Sequence, residues 1–246
     1  MEWEAAGIIL DVRPHGESDV VATVMTEAHG AHRGLARGGQ SRTRAALWQP
    51  GNLVELRWIG RLADQLGSFS AEMVHPAAAV VMDDPLLLAM LTSSCSVAHG
   101  ALVEREPQPV VFDLLLHLLA RLPVGPVMLA DLVRWELSLL TGLGYGLDLS
   151  ACAVTGTQES LVGVSPRTGR AVSAEAAGIW RERLLPLPGF LMGGDPDGSP
   201  EEWAQGLRLT GHFLERDAFG VHNRPLPQPR RALYDRVCLL AEGPAT

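Results

Sequence analysis

Apolar and polar residues alternate in short bursts along residues 1–75, and that two-residue period marks strands with one buried face. Five bursts stand out: "AAGIILDVRP", "DVVATVMT", "AHRGLARGG", "NLVELRWIGR" and "LGSFSAEMVH". The first ends in an extended pre-proline stretch, the second is rich in β-branched side chains, and "EAHG" turns the chain between the second and third. "QSRTRAALWQP" is inserted before the fourth. Five strands in so short a span predict a small closed or nearly closed barrel.

The period changes after Pro76. Asp84-Pro85 offers an N-cap with proline at the first helical position, and helical spacing runs over 85–105, 109–122 and 127–143, the last closed by Gly142 and Gly144. Ser173 can cap a helix through Leu184. Ser199-Pro200-Glu201-Glu202 is a capping box opening a helix to about Phe219, and "PRRALYDRVCLLA" forms the last helix. The acidic pairs Asp83-Asp84 and Glu201-Glu202 fall where caps and first turns want acid, so they belong to capping rather than catalysis. The pattern therefore predicts an α+β chain, with a β-barrel domain at 1–78 and an α-helical domain at 79–246 that carries an irregular insert at about 148–175.

At 246 residues, 47% hydrophobic and 20% charged, the chain can bury a sizeable core and fold unaided. The apolar runs at 110–122 and 126–140 are broken by Asp113, His117, Asp131, Arg134 and Glu136, so neither predicts a membrane span. No charged-then-apolar leader opens the sequence, and three scattered cysteines, Cys95, Cys152 and Cys238, argue for a reducing compartment, the cytoplasm. All 20 basic residues are arginine. The lack of lysine excludes a P-loop, a pyridoxal Schiff base and a Ser-Lys dyad. "GLGYG" follows a helix rather than a strand, which excludes a dinucleotide fingerprint, and no Gly-x-Ser-x-Gly elbow occurs.

The net charge of −8 hides a local asymmetry: residues 30–61 hold Arg33, Arg37, Arg42, Arg44, Arg57 and Arg61 against one acid, Glu55. "HRGLARGGQSRTR" joins four arginines to three glycines, and guanidinium forks match phosphate oxygens while glycine lets a loop lie close to a ligand. It reads either as a solvated hairpin or as a groove that tracks phosphates. Strand alternation turns Arg57 and Arg61 outward, opposite Val54, Leu56 and Trp58. Trp58 and Phe69 fall on core faces, which leaves Trp48, beside the basic insert, and Trp3 as candidate stacking platforms for bases. His29 and His32 with Glu27 offer metal-ligand chemistry, but across a glycine turn they read better as a hairpin. Three functions stay open: a non-enzymatic DNA-binding protein without cofactors, a metal-dependent nuclease or hydrolase using His29, His32 and nearby acids, and a scaffold whose arginine hairpin binds protein.

"AAGIILDVRPHGESDVVATVMTEAHGAHRGLARGG" resembles the opening of the bacterial recombination mediator family RecO, through Arg13, Gly16, Glu17, Ser18, Asp19, Thr26, Glu27 and Gly30. "LSLLTGLGYGLDLSACAVTG" and "RPLPQPRRAL" extend the resemblance over nearly the whole chain. The resemblance implies an N-terminal OB-fold barrel, a helical domain and a treble-clef-like zinc knuckle inserted in it, with no catalytic chemistry. It also implies binding to single- and double-stranded DNA, annealing of complementary strands and a cytoplasmic, nucleoid-associated place in DNA repair. Its partners would be RecR, RecA and the acidic tail of single-stranded DNA-binding protein (SSB). Such a tail, ending in an apolar residue with a free carboxylate, wants an arginine beside an apolar groove. Arg121 and Arg134, with Phe112 and Leu116, are the residues to test.

A zinc knuckle wants two Cys-x₂-Cys pairs about 15 to 20 residues apart. Those places fall at Cys152, Thr155, Ser173 and Ala176, so the spacing survives and the ligands do not. The expectation is a metal-free knuckle closed by Leu149, Val154, Leu161, Val162, Val164 and backbone hydrogen bonds.

Overall fold

The computed structural model describes residues 1–62 and 65–243. Strands β1 (Glu2–His15), β2 (Asp19–Thr26), β3 (Gly30–Ala36), β4 (Leu53–Ile59) and β5 (Gly67–His75) close into a barrel in the order β1-β2-β3-β5-β4. β1 serves two neighbours: Glu2 to Ile8 pair with β4, Gly7 to His15 pair with β2, and an irregularity between Ile9 and Asp11 bends the strand from one to the other. All ladders are antiparallel except the one that closes the barrel, β3 with β5, which is parallel and only two residue pairs long.

The barrel is filled by alternate side chains, as the period predicts: Val24, Val54, Leu56, Trp58 and Phe69 are buried, and β4 alternates strictly from Val54 to Ile59. Two glycines make room for the aromatic rings. A Cβ on Gly34 would lie 2.7 Å from the Phe69 ring, and one on Gly67 would lie 2.3 Å from the Trp58 indole.

Helices α1 (Ala77–Val81), α2 (Pro85–Ala101) and α3 (Pro109–Arg121) pack with the barrel, so by contacts the chain forms two compact units, Met1–Gly125 and Pro126–Thr246. Part of the tie between barrel and helices is made of backbone. Arg105 N–H donates to the Ala31 carbonyl at 2.8 Å, and Gly30, at φ +63°, lies so close under Glu106 that a Cβ there would be 2.3 Å from its carbonyl oxygen. The helix expected over 85–105 ends at Ala101, because the chain turns there into this clasp, with Arg105 left-handed at φ 66°. Asp84 is its N-cap, accepting from the Leu86 and Leu87 amides.

The second unit holds α4 (Met128–Gly142), a three-stranded sheet of β6 (Leu161–Val164), β7 (Ala171–Ser173) and β8 (Leu185–Pro186), then α5 (Ala174–Ala177), α6 (Pro200–Phe213) and α7 (Gln228–Glu242). The Ser199–Glu202 capping box is present at the start of α6. Two expected helices are shorter than the periodicity indicated. Gly178, at φ 43°, ends α5 after one turn and a 3₁₀ stretch follows, while α6 widens into a π-helical segment over Leu214–Phe219. At the centre of this unit the Arg230 guanidinium, 1% exposed, donates to both carboxylate oxygens of Glu136, 0% exposed, at 2.5 and 3.0 Å. The same guanidinium donates to the Leu207 carbonyl at 2.8 Å, and the Thr210 hydroxyl donates to Glu136. Among the described residues no helix is long and apolar enough to cross a membrane.

Candidate nucleic-acid interface

The basic segment after β3 is fixed at both ends. At its start, the Asp19 carboxylate accepts from Gly38 N–H at 2.7 Å, and the Ser18 carbonyl accepts from Gln40 N–H at 2.9 Å. The Gln40 side chain donates to the Asp19 carbonyl at 2.7 Å. Hydrogen bonding from the Gly38 amide is the largest effect on Asp19 and holds its carboxyl below the usual carboxylate value, helped by Ser18 and by the charges of Arg37 and His15. The Gly-Glu-Ser-Asp motif is thus the clamp that sets the arginine loop. At the far end the Asn52 side-chain amide donates to the Ala46 and Leu47 carbonyls at 2.9 and 3.1 Å, and its oxygen accepts from the Ala78 amide at 3.2 Å.

Arg37, Arg42, Arg44 and Arg61 are exposed. Arg44 also donates to the Arg37 carbonyl at 2.9 Å, and both arginines line, with residues of β5, a groove of about 760 Å³. Arg33 and Arg57 are exposed, Arg57 as the strand alternation predicts, but carboxylates already hold both. Arg33 pairs with Glu104 at 2.8 Å, and the Arg57 Nε donates to Glu2 at 2.6 Å with Glu4 at 3.6 Å. These pairs are surface pairs of small net strength, so a phosphate can replace the carboxylate, at the cost of breaking them.

Trp48 corrects the sequence reading. It is 6% exposed and stacks near Phe69, with centroids 6.4 Å apart, inside the barrel core. Rather than a platform for bases it is the apolar anchor of the loop, a role that the sequence position beside the insert does not reveal. Trp3 is partly exposed and stacks on His29 at 4.1 Å. His32 is buried in the barrel between Trp3 and Trp58, and burial pulls its pKa down to about 4, with the Arg105 charge adding to it. Glu27 is exposed, and among the described residues no group of three His, Cys, Asp or Glu could hold a metal, these three included.

If the loop clamp matters, removing it should weaken DNA binding even though an acid is lost. Asp19→Ala makes the protein one charge more positive, yet its affinity for a short oligonucleotide, read by fluorescence anisotropy, is expected to fall several-fold as the loop loosens. An unchanged or tighter affinity would refute the clamp.

The four residues singled out for the SSB tail divide between the two compact units: Phe112, Leu116 and Arg121 on α3, Arg134 on α4. Phe112 is 4% exposed and belongs to the core, so it does not line an open groove. Arg134 pairs with Asp131 at 2.7 Å and donates to the Phe190 and Pro196 carbonyls at 3.2 and 2.6 Å, so its guanidinium is committed to holding the 190–196 loop. The apolar residues on the Arg121 face that sequence reasoning missed are Val110 and Leu114, both exposed, eleven and seven residues before it on the same helix.

At the knuckle the four vestigial positions do converge. Ser173 N–H donates to the Cys152 sulfur at 3.3 Å, and the Ser173 hydroxyl accepts from Ala176 N–H at 3.4 Å. Burial pushes the Cys152 thiol up, and hydrogen bonds from Ser173 and Thr155 outweigh it, bringing the thiol down to about 6. One thiol, two hydroxyls and a methyl do not fit zinc. Cys152, Val172 and Ala177 form the small core with Leu161 and Val162 against it, while Val154, expected inside, is 73% exposed. Protein purified without a tag is expected to carry no stoichiometric zinc by atomic absorption, whereas the Thr155→Cys, Ser173→Cys, Ala176→Cys triple variant should bind one ion. Zinc at one per chain in the wild type would overturn this.

A closed five-stranded barrel in the order β1-β2-β3-β5-β4 places the chain in the class of OB-fold proteins. Comparison narrows the class. The family model "Recombination protein O N terminal" matches residues 1–77, and "Recombination protein O C terminal" matches residues 82–224. The chain is 57% identical to the DNA repair protein RecO of Granulibacter bethesdensis over 98% of each chain. It is 53% identical to that of Gluconacetobacter diazotrophicus over 99% of this chain and 98% of the relative, and 53% identical to that of Acidiphilium cryptum over the same shares. The chain belongs to the RecO family of DNA repair proteins.

Proposed function

We propose that this protein is a cytoplasmic, nucleoid-associated, non-enzymatic mediator of recombination, which binds single- and double-stranded DNA, anneals complementary strands and, with RecR, helps load RecA onto SSB-coated single strands. The observation that carries the reading is the arginine loop: Arg37, Arg42 and Arg44 exposed together on a segment locked to an OB barrel by Asp19, Asn52 and Trp48. Two strands that must pair repel each other as polyanions, and arginines that hold one backbone while leaving its bases free lower that barrier. Arg61 extends the basic surface; Arg33 and Arg57 join it by exchanging Glu104, Glu2 and Glu4 for phosphate. The acidic SSB tail is assigned to the α3 face that carries Val110, Leu114 and Arg121, where apolar surface lies on the same side as a basic residue; Leu116 falls on the opposite side of the helix.

The test is strand annealing of two complementary labelled oligonucleotides in EDTA, followed by incubation of one strand with Mg²⁺ or Mn²⁺. Accelerated duplex formation without metal and intact strands with it are expected. Cleavage would transfer the protein to the nuclease class, and absence of both annealing and a low-salt gel shift would leave the arginine loop to a protein partner.

A further inference from the structure

β3 and β5 meet at only two residue pairs, Gly34 with Gly67 and Leu35 with Ser68, and then part. They part because the chain after Ala36 is pulled aside by the Asp19–Gly38 clamp, and because Leu47 and Trp48 pack in against Phe69. β5 continues to His75 paired with β4 on one side. Along residues 69–73 its other side lines the 760 Å³ groove, and among the described residues it has no ladder partner and no loop backbone bond reaches it. In an antiparallel ladder alternate residues turn their N–H and C=O groups away from the paired neighbour. The groove therefore offers a strand edge with donors and acceptors at alternate residues.

The walls select the occupant. Arg37 and Arg44 stand opposite the edge, and Ile59 and Met73, 47% and 38% exposed, give it apolar flanks, with Glu72 the one acid in the lining. A sugar-phosphate chain has no N–H groups to answer the carbonyls of β5, and its charge would face them. An extended peptide answers both donors and acceptors. We infer that the β5 edge is a strand-addition site for an extended protein segment that alternates acidic and apolar residues, the acids meeting Arg37 and Arg44 and the apolar side chains covering Ile59 and Met73. This goes beyond DNA binding: it gives the barrel a protein partner in the groove beside the arginine loop, and makes peptide and DNA compete for Arg37 and Arg44.

The probe is a fluorescent ten-residue peptide alternating aspartate and valine, titrated against the full chain by anisotropy, with amide exchange of residues 69–73 followed by NMR. N-methylation of alternate peptide amides keeps charge and shape but removes the pairing donors, and is expected to weaken binding at least tenfold; Arg37→Glu with Arg44→Glu should do the same. Alternate amides within 69–73 should gain protection when the unmethylated peptide is added. Equal binding of the methylated peptide, protection elsewhere, no binding at millimolar peptide, or protection of these amides by a thymidine oligonucleotide and not by peptide would each overturn the site. Oligonucleotide binding to the unaltered protein, measured in parallel, reports on the DNA reading separately.

Discussion

Replacing Arg37, Arg42 and Arg44 together with glutamate is expected to lower single-strand affinity by at least about a hundredfold at low salt, since each charge-assisted contact is worth roughly 1.5–3 kcal/mol. The salt dependence gives an independent reading. Four exposed arginines on phosphate, these three and Arg61, give a log–log slope near about −3 for single strands, and the triple variant should retain about −1 or less. Six contacts would give about −4, but Arg33 and Arg57 must first leave Glu104, Glu2 and Glu4, so their net contribution is small. Arg33→Gln is the control and should change affinity no more than about threefold. Gel shift or anisotropy across a salt series checks all of this. A wild-type slope near zero, or a triple variant as tight as the parent, would remove DNA from the arginine loop.

Arg230→Leu should be the most destabilising single change in the second unit, at about 3–5 kcal/mol, because Glu136 would be left 0% exposed without its charge partner. The double variant Glu136→Leu, Arg230→Leu removes both charges and should recover most of that loss, since two apolar side chains in the same space avoid the desolvation of an ion pair. Urea unfolding of the full chain followed by tryptophan fluorescence measures both. If the single variant unfolds at the parent's midpoint, the network is ornamental; if the double variant is as weak as the single, the hydrogen bonds to Thr210 and Leu207 that it loses with the two charges carry the stability.

Much of the fold was legible in the sequence because its signals are local. β4 could be read one residue at a time, and Asp84-Pro85 and Ser199-to-Glu202 announce helix starts through side chains that satisfy amides two or three residues on. What stayed hidden is carried by partners far along the chain. The acid on Arg33 lies at position 104, the carboxylates on Arg57 at positions 2 and 4, and the partner of Arg230 at 136. Nothing near Trp48 says that its ring turns inward, because the residues around it form turns rather than a strand or helix with a readable period. The Gly-Glu-Ser-Asp motif was recognised as a signature, and only the Asp19–Gly38 bond gives it a mechanical reason.

The clasp at Gly30 has a consequence for how the first unit comes together. The β2–β3 hairpin closes over a three-residue turn and can form early, yet its outer edge is completed only when Arg105 reaches Ala31, a contact that must close a loop of more than seventy residues. The contact that completes this edge is therefore of long range in sequence, unlike the Asn52–Ala78 bond that ties α1 to the barrel. A chain cut just after β5 would keep all five strands and still expose the Ala31 carbonyl, the uncovered face of Gly30 and an unpaired Arg33, so the shortest segment that satisfies its own backbone extends past residue 106.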